Sequence, residues 1–359
     1  MSSQTSVQLI DQLCAAPGPS GREQAVAELI KQKIEDICPH AVYDRMGNLI
    51  APMRFGELSA TSRKKVMVSA HMDEVGFMIN EIKSNGLLGF DTVGGINESV
   101  MAGRKVKVLT DSGILSGVIA SKAIHHKDKK EREKAAKIEK LYIDIGLDDA
   151  EKAREHVSVG DFAVFDSEFY TFGEGLVKAK ALDDRMGCAA MIETMRALKD
   201  SPIDCDLDVF FCFTVREEIG LSGAQVAAYR IRPDVAIVLE TTAVADIEGV
   251  APAGRVADIG EGVVVSIMDR ATIYDRKLVA LAFDTAKKKG IKAQVKRYVS
   301  GGNDAGNIHK TAEGIKTLAL SVPTRYLHSP ACVASINDYY SQQRLCEEIL
   351  RAICSSEEI

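Results

Sequence analysis

The stretch KKVMVSAHMDEVGFM, residues 64–78, joins a run of branched and long apolar side chains to a histidine and two carboxylates. The run VMVSA reads as a buried strand, and the charges arrive where it ends. Desolvating His71, Asp73 and Glu74 there costs several kcal/mol unless something pairs with them. Three more apolar runs finish in the same vocabulary. VFFCFTV (209–215) is followed by Arg216, Glu217 and Glu218, DVAIVL (234–239) by Glu240, and IKTLALSV (315–322) by PTRYLH, which ends in His328. A fifth segment, VKAKALDDRMG (177–187), sets Asp183 and Asp184 just before a helical pattern.

In open α/β sheets, ligands bind at the carboxyl ends of the strands, so these residues point to one edge. Each has an ordinary structural reading: Asp184 as a helix cap, Glu217 and Glu218 as solvated loop acids, His328 as a satisfied core histidine. Together they fit that reading less well. Converging carboxylates raise each other's pKa unless cations compensate them, and Arg185 and Arg216 are too few. Two histidines with several carboxylates form the nitrogen and oxygen ligand set that suits zinc or a similar divalent ion. In an extended segment, residues two apart face one side, so Asp73 can lie beside His71 and fix its tautomer. In REEIG, adjacent side chains diverge, so one glutamate can bind metal while the other takes a proton from an activated water. A bridging carboxylate such as Asp183 would let two ions sit ~3.5 to 4 Å apart.

The surrounding chain supplies the frame. SGREQAVAELIKQKIEDICP carries a capping box, Ser20 with Glu23, ahead of apolar Val26, Leu29, Ile30, Ile34 and Ile37 at helical spacing, and Pro39 closes it. AVYDRMGNLIAPM reads as a hairpin. Between 76 and 168, short glycine-separated strands without a long amphipathic helix mark a β-rich insertion. After residue 180, helices alternate with strands, including one over IKAQVKRYV (291–299), and the last helix starts near Asn337. The expected fold is therefore α/β: a mostly parallel mixed sheet covered by helices on both faces, built from residues 1–75 and 169–359, with a small barrel-like β-rich domain inserted over 76–168.

The 359 residues are 46% hydrophobic and 27% charged, ordinary for a globular chain. The net charge of −6 gives no global positive field for nucleic acid or an anionic membrane. No basic n-region with a long apolar h-region opens the sequence and no run reaches membrane-spanning length, so a cytoplasmic protein is expected. Eight scattered cysteines without a C-x-x-C pair read as reduced core thiols. The mixed-sign run 127–140 reads as a solvated loop or exposed helix. His125 and His126 read as surface or interface residues and are not counted as ligands.

SAHMDEVGFM, KALDDRMG, TVREEIGLSGA, DVAIVLE, SGGNDAGNIH and PTRYLHS, in this order, resemble the tetrahedral aminopeptidases, a cytosolic family of dinuclear zinc or cobalt metallopeptidases with glutamyl aminopeptidases and glucanase-labelled relatives. The resemblance covers nearly the whole chain. It implies that His71 binds one metal and His328 the other, with Asp183 bridging. Glu240 would complete the site of His71 and Glu218 that of His328, while Glu217 acts as general acid/base and Asp73 supports His71. It implies two divalent ions per subunit, peptide substrates with a free N-terminus, and a homo-oligomer, a dodecamer built from dimers through the inserted domain. Two positions depart from the pattern: Glu240, where aspartate is common, and Asn303, where threonine is. Rival readings are a deacylase of N-acylated amino acids using the same ions and a catalytically silent, metal-stabilised assembly protein. A glycosidase would call for a carboxylic acid pair instead of two metals.

Overall fold

A computed structural model describes residues 3–354 apart from 58–62, 127 and 130–132. The stretch that opens the argument is a strand, Lys64–His71, and it lies at the centre of a large mixed sheet. Across that sheet the order is Val42–Tyr43, Leu49–Phe55, Leu207–Thr214, Lys64–His71, Val235–Ala243, Lys316–Arg325, Cys332–Ser335, Leu176–Ala179 and Tyr170–Phe172. The four strands from Leu207–Thr214 to Lys316–Arg325 run parallel. Antiparallel pairings extend them on both sides.

The parallel strands are mostly apolar along their middles because both faces are covered. Val66, Val68 and Ala70, with Val235, Ile237 and Leu239, pack in a large core with the helices Ser3–Ala15, Gln24–Ile34, Leu182–Asp200 and Ile336–Cys354. Met67, Ala236, Val238 and Ala319 face the other way, onto the helices Ser222–Ile231 and Ala305–Ile308. The same alternation continued by one step turns His71 and Glu240 toward this second, thinner face.

The segment Gly76–Phe165 forms a closed six-stranded barrel in which every pairing is antiparallel. Its interior is filled by Phe77, Ile79, Leu88, Phe90, Val106, Val108, Ile119, Ile143 and Phe165. Phe77 meets Phe90 and Phe165 edge to face, with centroids 5.0 and 5.1 Å apart. Closure leaves the barrel no free strand edge among the described residues for another strand to pair with.

Three local expectations need correction. Ser20 does not cap the second helix: Glu23 is the N-cap residue, without a side-chain cap bond, and Ser20 donates instead to Asp73 at 2.5 Å. Cys205 and Cys354 are not free thiols; they pair as a disulfide with Cα atoms 6.2 Å apart, while the other six cysteines are buried and free. The strand expected over 291–299 shrinks to Ala293–Val295, because its strand partner among the described residues is the short Val263–Val265. The described part of the charge run 127–140 is exposed or half-buried; residues 127 and 130–132 lie outside the described residues. No helix among the described residues is long and apolar enough to cross a membrane.

Candidate metal centre

Strand register brings the charges together. Thr214 is level with His71, so Arg216, Glu217 and Glu218 leave the sheet beside it. On the other side Val238 is level with Ser69, which puts Glu240, two residues on, alongside His71. Glu240 is thus inside its strand, Val235–Ala243, whereas the sequence suggested a strand end. His328 comes three residues after its strand, and Asp183 opens the helix Leu182–Asp200 across a cis peptide to Asp184. Ala181, Arg216, Tyr326 and His328 all hold positive φ (54° to 58°) without being glycine. Such conformations cost about 1–3 kcal/mol each and persist where surrounding contacts impose them.

His71 Nε2 lies 3.2 Å from Asp183 Oδ1 and 3.5 Å from Glu240 Oε1. His328 Nε2 lies 3.5 Å from Asp183 Oδ2 and 3.2 Å from Glu218 Oε1. Asp183 therefore turns one oxygen to each imidazole. Two groups able to hold a metal ion result, His71 with Asp183 and Glu240, and His328 with Asp183 and Glu218. Ligand atoms of His71, Glu217 and Glu218 also lie within 4.8 Å of one another. His125 and His126, exposed on the turn Ile124–His126, belong to no such group among the described residues.

The second nitrogen of each imidazole shows what the first is for. His71 Nδ1 faces the Asp73 carbonyl at 3.0 Å and His328 Nδ1 the Gly95 carbonyl at 2.7 Å. A carbonyl only accepts, so each Nδ1 carries the hydrogen. In the neutral ring, Nε2 then presents a lone pair to carboxylate oxygens, an arrangement that needs a proton or a cation between them. Without a cation the protons stay. Burial lowers the pKa of His71, but Glu240, Asp183 and Asp73 outweigh it and hold it well above the usual range. Burial likewise opposes, and Asp183 and Glu218 prevail over it, to raise His328 to about 12. Burial, against the pull of His71, pushes Glu240 up to about 8. Glu217 is driven well above the carboxylate range by burial, with Glu240, Glu218 and Asp304 adding to it against His71. Only Asp183 goes well below its usual value, since hydrogen bonds from His328 and His71 overcome its burial. Histidine nitrogen and carboxylate oxygen are the donors divalent zinc or cobalt accepts, and either ion would displace these protons.

Neither arginine neutralises the cluster. Arg185 is fully buried behind it, bonded to the carbonyls of Met72, Leu13 and Ala16. Arg216 has a buried Nε without a hydrogen-bond partner.

Three side chains that sequence reasoning did not assign, or assigned elsewhere, clamp the loop carrying Glu217 and Glu218. Asp73 accepts the N–H groups of Glu217 (3.0 Å) and Glu218 (3.1 Å), besides flanking His71 Nδ1 at 3.4 Å. Glu23 accepts the N–H of Arg216 at 3.2 Å. Asn48, fully buried, accepts the N–H of Val215 (3.0 Å) and donates to the Gly223 carbonyl (2.9 Å). Asn303 is also buried, and its amide donates to Tyr274, which donates to Asp269.

A doubly covered sheet with acidic and imidazole groups gathered at its carboxyl edge, and a barrel inserted behind the first histidine, frames a candidate divalent-metal centre. The comparisons make it specific. The sequence profile described as M42 glutamyl aminopeptidase matches residues 47–345, and the chain belongs to that family. It is 30% identical to the lysyl aminopeptidase of Pyrococcus furiosus, covering 96% of this chain and 97% of the other. The crystal structure of a TET aminopeptidase from a marine sediment Thaumarchaeota archaeon superposes with a TM-score of 0.92 at 34% identity, covering 97% and 96%. The Pyrococcus horikoshii TET1 peptidase, described as assembling into a tetrahedron or a large octahedral shell, gives 0.84 at 34% identity, covering 97% and 99%. The family makes this chain a metal-dependent peptidase, a hydrolase, and does not favour the deacylase or silent assembly readings.

Proposed function

We propose that the chain is an aminopeptidase that removes single residues from the free N-termini of short peptides, using two divalent cations, zinc or cobalt. His71, Asp183 and Glu240 would hold one and Asp183, Glu218 and His328 the other. When bound, such a pair supplies Lewis acidity to the scissile carbonyl and acidifies water. Glu217 accepts the proton of the attacking water and returns it to the leaving amine, a task suited to a carboxyl that burial makes a stronger base than an exposed one. Asp73 fixes the imidazole of His71 from one side and the backbone of Glu217 and Glu218 from the other. The observation that carries this reading is Asp183, whose two oxygens address two imidazoles with their Nδ1 positions already committed.

The finer features belong to the same proposal: a catalytic unit of residues 1–75 and 169–359, a dimerisation unit over 76–168, a dodecamer assembled from dimers, and work in the cytoplasm. The shell-forming assembly described for the Pyrococcus horikoshii relative supports the oligomer. The test is a panel of aminoacyl-p-nitroanilides, with and without N-acetylation, on protein stripped by chelator and then reloaded with zinc or cobalt. Activity on free-amine substrates alone, lost with the metal and regained with it, is expected. Equal activity on the acetylated series would overturn the aminopeptidase assignment in favour of a deacylase.

A further inference from the structure

Three charged side chains lie fully buried beside the proposed centre without belonging to it. Lys180 donates to both oxygens of Glu74, at 2.6 and 2.8 Å, and Arg185 Nη2 approaches Glu74 at 3.4 Å. Glu74, Lys180 and Arg185 are each 3% exposed or less. Burying such a group is costly, and replacing it with apolar side chains is often neutral or stabilising, so stability alone is a weak reason for it. Its placement offers a better one. Lys180 and Arg185 bracket Asp183, three residues before it and two after. Arg185 Nε donates at 2.7 Å to the carbonyl of Met72, the residue that follows His71. Glu74 also accepts the N–H of Gly18 at 3.2 Å. The segment presenting Asp183 is thus tied at both ends to the segment presenting His71.

We propose that the Glu74–Lys180 pair, with Arg185, positions Asp183 between the two imidazoles, so that it offers one oxygen to each cation. This rests on the two-cation reading above. Lys180 and Glu74 are positioning residues: neither belongs to a group able to hold a metal ion among the described residues, and they act through Asp183.

The variant that isolates geometry from field is Glu74→Gln/Lys180→Met. It removes one charge of each sign, leaves the local net charge as it was, and keeps both shapes close. Full-length protein stripped by chelator is checked for folding by circular dichroism, titrated calorimetrically with zinc alone, and loaded with cobalt for its visible absorption spectrum. The wild type should take up two zinc ions per chain. The variant should bind zinc about 10- to 100-fold more weakly, the usual effect of losing a group that orients a ligand, with altered cobalt bands. A merely structural role would lower the melting temperature and leave both readouts unchanged. Should the double variant fail to fold, Glu74→Gln alone, which keeps an acceptor for Gly18 and Arg185, is expected to weaken zinc in the same direction. Unchanged zinc affinity and cobalt spectrum in a folded variant, with two ions in the wild type, would overturn this inference alone. A wild type that does not bind two ions would overturn the cation reading and this inference with it.

Discussion

Replacing Asp73 by asparagine changes one atom at the point where the site is tied together. Asp73 Oδ1 accepts the N–H of Glu217 at 3.0 Å and lies 3.4 Å from His71 Nδ1. Oδ2 accepts the N–H of Glu218 at 3.1 Å and the hydroxyl of Ser20 at 2.5 Å. An amide nitrogen in the place of Oδ1 would confront two N–H groups, those of Glu217 and of the His71 ring. In the place of Oδ2 it would confront the Glu218 N–H, while Ser20 could rotate its hydroxyl and accept. The second orientation is cheaper, and it still orphans one buried backbone donor at a cost of about 1–3 kcal/mol. If that cost falls on the transition state, kcat drops about 5- to 150-fold. Because the displaced residue is Glu218, the cation shared with His328 should weaken more than the one at His71. Steady-state kinetics on a free-amine aminoacyl-p-nitroanilide, with zinc content measured on the same protein, provide the assay. An Asp73→Asn enzyme with kcat within about twofold of wild type and both zinc ions retained would refute the assigned role, since no orientation of the amide satisfies all four neighbours.

Glu217→Gln should keep both cations and lose about 10²- to 10⁴-fold in kcat, the range for a removed general base; near-normal turnover would remove Glu217 from the mechanism. His328→Ala should leave one cation per chain by elemental analysis, and full two-ion occupancy would contradict its assignment. In chelator, stability should fall as pH rises. Glu240, at about 8 in the fold against a usual 4.5, contributes stability fully present below 4.5 and lost as pH climbs through 8. His71 and Glu217, also raised, act in the same sense, whereas Asp183, held well below its usual 3.8, is already ionised across this window. Melting curves at pH 5.5 and 8.5 should therefore show a lower Tm at 8.5 without metal, and a larger gain on adding zinc there. A cation-free Tm that rises between those pH values would contradict the cluster's electrostatics.

Much of this was legible in the sequence because parallel strands buried on both faces must be apolar to their ends. A charge at or just past such an end, as at His71 or Glu217, interrupts the pattern visibly, and Glu240 does so from inside its strand, which continues to Ala243. What escaped were partners that only three dimensions supply. Ser20 and Glu23 satisfy the spacing of a capping box, and nothing local argues against it. Their side chains instead reach Asp73, 53 residues away, and the N–H of Arg216, 193 residues away. Arg185 counts in the sequence only as a cation near the carboxylates and Lys180 carries no signal at all, because neither burial nor a carbonyl partner across the sheet has a signature in sequence. Cys205 and Cys354 failed for the same reason, being 149 residues apart.

The carboxylates around the site fall into two kinds, and the difference identifies their roles better than proximity does. Asp73 and Glu23 spend their oxygens on backbone N–H groups of the loops that leave the sheet, where no ladder partner is left to accept them. Asp183, Glu218 and Glu240, apart from one local N–H bond to Glu240, turn instead toward imidazole nitrogens. The first kind is satisfied by the fold and would be present in a protein that bound nothing. The second is not, since paired acceptors can face one another only across a proton or a cation. The barrel takes part in this division: the carbonyl that commits His328 Nδ1 belongs to Gly95, and a Cβ at neighbouring Gly94, where φ is +83°, would come within 3.3 Å of Glu218. His328 and Glu218, both members of the second candidate group, therefore lie against a loop between two barrel strands.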